Sequence, residues 1–365
     1  MILIADREII RKAASILYGS KYASPGTPYL QVSRHAYLRI SPASIRRASD
    51  WPDMPRLSLL RMAIMAARGA VWILPCKFDV VFKKSGLLMG AFREGEVVKL
   101  FGEFQPGTGH NRRAENVEDL VRGEYTGASA AMALGVRVPA IRGYDNSPVR
   151  YVRQELVHSR KPPKDAASNL SLVRDVLQEI DKLCKDSEVK FMSLSAMPAA
   201  RDAVARLRKG MDAMSESHPT LADFARTNLH LLESAFLAAE IPVHGDLCRG
   251  NILVETNGSL CLCDWERYGR SLFGYDVFTL IVSLFPDQSV SQVESIFSDP
   301  YNPLLGPNAL AVLRETGLRN SMGPSECGQI IAATNFLIFL SYMTGAPDKD
   351  SLGRHLENCK RALSQ

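Results

Sequence analysis

The residues best able to do chemistry lie in one stretch, Val243-His244-Gly245-Asp246-Leu247-Cys248-Arg249-Gly250-Asn251-Ile252-Leu253-Val254, and in its continuation to Asp264-Trp265-Glu266. Asp246 and Asn251 stand five positions apart in a glycine-broken loop, and Asp264 follows thirteen positions later. Between them, residues 252–255 and 260–263 read as two short apolar strands. They are joined by Thr256-Asn257-Gly258-Ser259, and an Asn-Gly pair tolerates the positive φ angles of a tight hairpin. Such a hairpin returns Asp264 towards Asn251. Carboxylate and carboxamide oxygens are hard ligands suited to Mg²⁺, an ion that takes few protein ligands and binds substrate phosphates as well. Asp246 is left to accept a proton from an attacking hydroxyl.

The ordered set His-Gly-Asp-Leu-x-x-x-Asn-Ile-Leu, apolar hairpin and Asp-Trp-Glu resembles the catalytic core of small-molecule kinases related to aminoglycoside phosphotransferases and choline kinases, over about residues 243 to 280. The resemblance implies an α+β, two-lobed protein-kinase-like fold, with a small β-rich N-lobe and a larger helical C-lobe. It implies ATP and Mg²⁺ as cofactors, Asp246 as catalytic base, and Asn251 and Asp264 as metal ligands. A hairpin with turn-forming Asp and Asn at its ends would account for any one of these residues alone. It does not account for the motifs occurring together in this order.

A nucleotide-binding lobe must precede this core. From about residue 76 the chain reads as strand 78–82, a glycine-containing turn 83–90, a second turn at Glu94-Gly95, and strand 96–101. By the resemblance Lys99 meets the α/β-phosphates; the bland alternative is an exposed edge-strand lysine. The turn lacks the full Gly-x-Gly-x-x-Gly pattern. Residues 116–134 read as a helix stopped by Gly135, with Val136-Arg137-Val138-Pro139 returning as a strand. Glu124 on that helix is the expected partner of Lys99, with Glu115 and Glu118 as competitors. Residues 149–156 read as a last strand entering the hinge, and the resemblance implies that Gln154 and Leu156 there meet the adenine. Three units follow: 1–75, an N-terminal extension without a kinase motif; 76–158, the N-lobe; and 159–365, the helical C-lobe, opened by Pro162-Pro163.

Within the C-lobe, residues 169–183, 199–214 and 220–237 carry apolar residues at helical spacing. After Asp264, Asp276 precedes an apolar helical run, so it is a good N-cap. The resemblance gives the same residue the task of bracing the catalytic loop. His244 is expected to be a structural residue of that loop rather than a base. Cys248 stands where family members often carry His, and is read as a small packed side chain. Arg249 is expected at the phosphoryl group or paired with Glu266, and Glu266 at the metal's water shell or balancing Arg267 and Arg270.

In the N-terminal 75 residues, 6–18 and 55–70 have helical periodicity, 29–40 alternates like a strand, and 24–28 and 50–53 read as breaks. This segment carries eleven Lys/Arg against four acids, a local +7 in a chain whose net charge is +5. A basic front can meet a peripheral membrane surface or another anionic partner, or simply be solvated. No nucleic-acid reader motif accompanies it. Seven cysteines without regular spacing argue against a disulfide framework, and Cys261 and Cys263, two apart on a strand, suggest packing. No signal-peptide pattern opens the sequence, and residues 330–342 are too short and too polar to span a bilayer, so a cytoplasmic protein is expected. The acceptor is expected to be a small hydroxylated molecule. Arg267 and Arg270 disfavour a cationic aminoglycoside and favour a sugar, sugar phosphate or glycan precursor. Phosphorylation of protein, as by an effector or toxin kinase, modification of an aminoglycoside, and a non-catalytic nucleotide-binding scaffold are the rival readings.

Overall fold

The computed structural model describes residues 10–12, 14–16, 23–31, 36–41, 71–76, 78, 80–84, 87–92, 95–101, 117–146, 150–160, 166–285 and 289–344. Expected features at 50–53, 55–70, Ser85-Gly86, Glu115 and Pro162-Pro163 lie outside these residues. An eight-stranded sheet forms one lobe: β1 (Ala23–Gln31), β2 (Ala36–Arg39), β3 (Val71–Cys76), β4 (Val80–Lys84), β5 (Leu87–Phe92), β6 (Glu96–Phe101), β7 (Ile141–Asp145) and β8 (Tyr151–Glu155). Its order is β3-β1-β2-β4-β5-β6-β8-β7, with every neighbouring pair antiparallel. The strands from the first 75 residues therefore continue the sheet that carries Lys99. Tyr29, Leu30, Tyr37, Leu38, Leu74, Phe78 and Val81 are buried there, and the Tyr29 hydroxyl donates to the Phe78 carbonyl (2.6 Å).

Local details of this lobe depart from the sequence reading. The expected break at 24–28 lies inside β1. Pro25 has no N–H to give the ladder, and its trace is a register shift between Ala23 and Thr27. The expected turn 83–90 is mostly strand, because Lys83 pairs with Leu88 and Lys84 with Leu87. Helix α1 (Val117–Ala133) packs Val121 against Phe101 and Val152 of the sheet. After it, β7 starts at Ile141 rather than Val136. Pro139 lacks a donor, and both backbone groups of Arg137 are bonded elsewhere, to Glu179 and Leu262.

The other lobe is mostly helical: α2 (Ala166–Ile180), α3 (Pro198–Ser217), α4 (Pro219–Leu232), α5 (Tyr275–Leu284), α6 (Ser289–Phe297), α7 (Pro307–Asn320) and α8 (Pro324–Thr344). Two small antiparallel sheets accompany them. One joins β10 (Lys190–Ser193), β11 (Leu237–Val243) and β14 (Gly269–Leu272), and the other joins β13 (Leu260–Leu262), β12 (Ile252–Glu255) and β9 (Ser159–Arg160). In α8, Ile331, Phe336, Leu337, Ile338 and Leu340 are buried in the core that these helices share. Among the described residues no helix is long and apolar enough to cross a membrane.

The sequence reading carried α4 on to residue 237, but the helix stops at Leu232 and β11 begins at Leu237. Ser234 ends the helix by donating to the Leu231 carbonyl (2.7 Å) and accepting the Phe236 N–H (3.3 Å). Asn320 of α7 then fixes the strand's first residue, accepting the Leu237 N–H (2.8 Å) and donating to its carbonyl (2.9 Å).

Helix α7 is capped from a distance. The buried Asp181 carboxylate, just past α2, accepts the Ala309 N–H (2.7 Å) and the Asn308 side-chain amide (2.9 Å). A charged acceptor serving first-turn N–H groups is worth roughly 1.5–3 kcal/mol. Asp181→Ala is therefore expected to lower the melting temperature by a few degrees while leaving turnover within about twofold. An unchanged melting curve would remove this cap from the account of the fold.

Candidate active site

The loop after β11 is built around buried hydrogen bonds. Asp276 on α5 accepts the His244 N–H (2.7 Å) and the Gly245 N–H (3.0 Å), one on each carboxylate oxygen. The His244 ring is fully buried, accepts the Asp246 N–H at Nδ1 (3.3 Å) and contacts the Cys263 carbonyl through Nε2 (3.0 Å). With Nδ1 accepting, the ring hydrogen belongs on Nε2, and both nitrogens are occupied in holding the loop. Gly245 adopts φ +82°, and a Cβ there would strike the Arg267 carbonyl, so only glycine fits. Burial raises the Asp276 carboxyl above the usual carboxylate range, against the pull of His244 and the two N–H donors. Asp276 is the second residue of α5, behind Gly274 at the cap position, so it braces the loop and does not cap the helix.

Asn251 joins the loop to the hairpin. Its Nδ2 donates to the Asp246 carbonyl (2.8 Å), and its own carbonyl accepts the Cys263 N–H (3.0 Å). Strands β12 and β13 pair with Ile252 opposite Leu262, which brings the residue before Asp264 back beside Asn251. Asp264 itself takes φ +73°, a left-handed conformation that Asp tolerates better than most residues. The Trp265 ring fills the space beneath, fully buried, with its Nε1 donating to the Leu262 carbonyl (2.8 Å) and its face beside His244 (centroids 4.5 Å).

Across the cleft, Lys99 on β6 donates to Glu124 Oε1 (2.5 Å) and Asp264 Oδ1 (2.8 Å). Burial alone would lower the ammonium's pKa, but Asp264 and Glu124 reverse the shift and hold it well above the ordinary lysine value. Burial raises the Glu124 carboxyl, and Lys99 opposes that rise. Sequence reasoning missed how α1 comes so near. Gly123 and Gly127, four apart on one helix face, let its backbone lie on residues 265–268. A Cβ on Gly123 would strike the Glu266 carbonyl, and one on Gly127 would meet the Trp265 carbonyl at 2.8 Å. The small-residue spacing was the available signal.

The remaining expected residues divide. Gln154 is buried on β8, and its Oε1 has no hydrogen-bond partner among the described residues. The Leu156 N–H is already donated to the Gly95 carbonyl (2.6 Å), so it is not an amide available to a base. The Arg249 guanidinium bonds Asn169 of α2, and the Arg249 backbone N–H donates to Ser283 Oγ (3.2 Å). Arg270 pairs with Glu240 (3.0 Å) and Glu188 (3.5 Å) instead of Glu266. Cys248 is half-buried, and Cys261 is buried with its thiol pushed up to about 12 by that burial.

Asn251 and Asp264 carry the oxygens that could hold a hard divalent cation, although among the described residues no cluster of three or more acidic, His or Cys side chains gathers there. The amide nitrogen of Asn251 is committed to Asp246, which turns its oxygen the other way. Oε2 of Glu124 is buried and has no hydrogen-bond partner among the described residues. The Asp264 carboxylate is fixed by Lys99 beside them.

A two-lobed α+β fold of protein-kinase type, with a buried lysine bridged to acids from both lobes, defines the class of a kinase-like phosphotransferase. The chain belongs to the phosphotransferase enzyme family, whose profile matches residues 112–301. Its solved structural neighbours include a choline/ethanolamine kinase family protein from Mesorhizobium loti (12% identity, covering 88% of this chain and 95% of that one, TM-score 0.47). An aminoglycoside-3'-phosphotransferase of type VIII shares 17% identity over 76% of this chain and 98% of its own (TM-score 0.42). An ethanolamine kinase of Plasmodium vivax shares 9% over 78% and 80% (TM-score 0.44). A search of curated proteins finds no match.

Glu266 lies beside this charge cluster, and its carboxyl is raised from about 4.5 to about 7, first by burial and then by Asp264. A raised acid contributes stability that is fully present below its unfolded value and lost as pH rises through its folded one. Between about pH 5 and 8, nucleotide-free wild-type protein should therefore lose more stability than Glu266→Gln, which stays neutral. Melting curves across that range test it, and parallel curves for the two proteins would refute it.

Proposed function

We propose that the protein transfers the γ-phosphoryl group of ATP, with Mg²⁺, to a hydroxyl of a small molecule, with a sugar or glycan precursor as the acceptor class. The observation that carries this reading is the Lys99 ammonium bridged to Glu124 and Asp264. A cation fixed in this way presents a positioned charge to nucleotide phosphates. Asn251 and Asp264 would hold the metal, which when bound offsets negative charge on the phosphoryl oxygens. Asp246 orients the acceptor hydroxyl and takes its proton. Its position is set by the main chain, since the His244 ring and the Asn251 amide hold its N–H and carbonyl. The hydroxyl therefore meets a carboxylate on a rigid loop, and catalysis rests on orientation and electrostatics.

Charge supports the acceptor class. The segment after Asp264 is basic, with Arg267, whose backbone lies against Gly245, and Arg270, which pairs with Glu240 and Glu188. A basic segment suits a neutral or anionic hydroxyl compound better than a polycation.

A screen of ATP consumption over sugars, sugar phosphates, amino alcohols and antibiotics, with Asp246→Asn as control, tests both parts. The variant should lose about 10²–10⁴-fold in kcat, with its melting temperature almost unchanged. Full activity in Asp246→Asn sinks the role of Asp246. Strong turnover confined to polycationic antibiotics sinks the acceptor class.

A further inference from the structure

Arg137, in the connection between α1 and β7, touches four elements at once. Its N–H donates to Glu179 Oε1 on α2 (2.7 Å), and its carbonyl accepts the Leu262 N–H of β13 (2.9 Å). The guanidinium donates through Nε to Glu255 Oε1, the last residue of β12 (2.8 Å). Through Nη1 and Nη2 it reaches both oxygens of Glu155, the last residue of β8 (3.1 and 3.3 Å). Nη1 also donates to the Val138 carbonyl (2.6 Å), and Glu155 accepts the Ala140 N–H (3.2 Å). Glu155 ends the small-lobe strand that leads to the hinge. Glu255 and Leu262 belong to the large-lobe hairpin between Asn251 and Asp264.

We propose that Arg137 is a positioning residue, locking the hinge strand of one lobe to the hairpin that carries Asn251 and Asp264, and so fixing how the two halves of the site align. The proposal deepens the phosphotransfer reading and rests on it for its catalytic consequence. About a third of the Arg137 side chain is exposed (35%), so each ion pair taken singly is weak. The arrangement matters more than the pairs. A planar fork satisfies two carboxylates from opposite sides of a seam, which a lysine's point charge cannot do in the same geometry. Without the guanidinium, Glu155 and Glu255 face each other with no charge between them. The loss is then more than a missing bond, because attraction across the seam becomes repulsion. Burial would raise the Glu155 carboxyl, but Arg137 and the Ala140 N–H hold it below the usual carboxylate range.

The test uses the full chain as Arg137→Ala, Arg137→Lys, Glu255→Gln and the double variant Arg137→Ala/Glu255→Gln. Hydrogen exchange of residues 252–264 is measured without nucleotide. ATP binding in MgCl₂, kcat, KM for ATP and melting temperature are measured beside it. Arg137→Ala should speed exchange in the hairpin and weaken ATP binding roughly three- to thirtyfold, with KM rising and kcat falling together. Arg137→Lys should fall between it and wild type. The double variant should recover part of the loss, because it removes the repulsion. A folded Arg137→Ala protein with hairpin exchange and KM within about twofold of wild type overturns the proposal. If Arg137→Ala does not fold, Glu255→Gln decides: unchanged exchange and ATP affinity in that variant overturn it. The two readings fail separately, since wild-type protein that binds no ATP refutes the phosphotransfer reading, while the exchange measurements still test the strut.

Discussion

A buried ammonium without water must be matched by charge, and Lys99 is matched twice, by Glu124 from the helix of its own lobe and by Asp264 from the other. Breaking such a pair by removing one partner costs on the order of 3–5 kcal/mol, because a desolvated charge is left alone. The three side chains must therefore meet if the protein is to be stable in this form. Much else in the molecule follows from that meeting. Helix α1 must approach closely enough to need glycines at 123 and 127, and Asp264 must turn into a left-handed conformation to face the lysine. The indole of Trp265 must fill the volume below the turned backbone.

The loop after β11 obeys a second constraint of the same kind. Its N–H groups at 244 and 245 are removed from water, and buried donors require acceptors. One carboxylate, Asp276, serves both, and its own burial is tolerable only because those donors and His244 surround it. His244 then passes the order on, to Asp246 through one ring nitrogen and to Cys263 through the other. Loop and hairpin are thus tied by the side chains of Asp276 and His244. Asp246 can be partly exposed on a loop whose backbone is not free to move.

The parts legible in the sequence were those whose causes are local. The Asn-Gly hairpin, the extent of α1 and the lobe order could be read from turn chemistry and periodicity, because neighbouring residues decide them. Strand β11 could not, since it is buried along nearly all its length, Glu240 included, and so lacks the apolar/polar alternation that marks a half-buried strand. Pro25-Gly26 looked like a break, yet a ladder can skip a missing donor by shifting its register. Asp276 carried a cap's residue type, but its partners lie more than thirty residues away. Arg270 was given the nearby Glu266, and the folded chain pairs it with Glu240 and Glu188, while the Arg249 guanidinium reaches Asn169, eighty residues away. Long-range pairing is decided by topology, which spacing along the chain does not contain.

Charge crosses between the lobes at two depths, and the difference has consequences for how the protein responds to its surroundings. In the Lys99 triad the side chains are 5% exposed for the lysine, 2% for Glu124 and 17% for Asp264, so dissolved ions screen its centre little. The Arg137 cluster lies nearer the surface, with Glu155 at 30% and Glu255 at 19%, where added salt weakens each contact. Raising ionic strength should therefore loosen the seam before it disturbs the contact between Lys99 and Asp264. The lobes would shift relative to one another while Lys99, Glu124 and Asp264 stay paired. A protein built this way separates two requirements: the deep triad keeps a matched charge between the lobes, and the shallow cluster sets how firmly the hinge-side strand and the hairpin are held together.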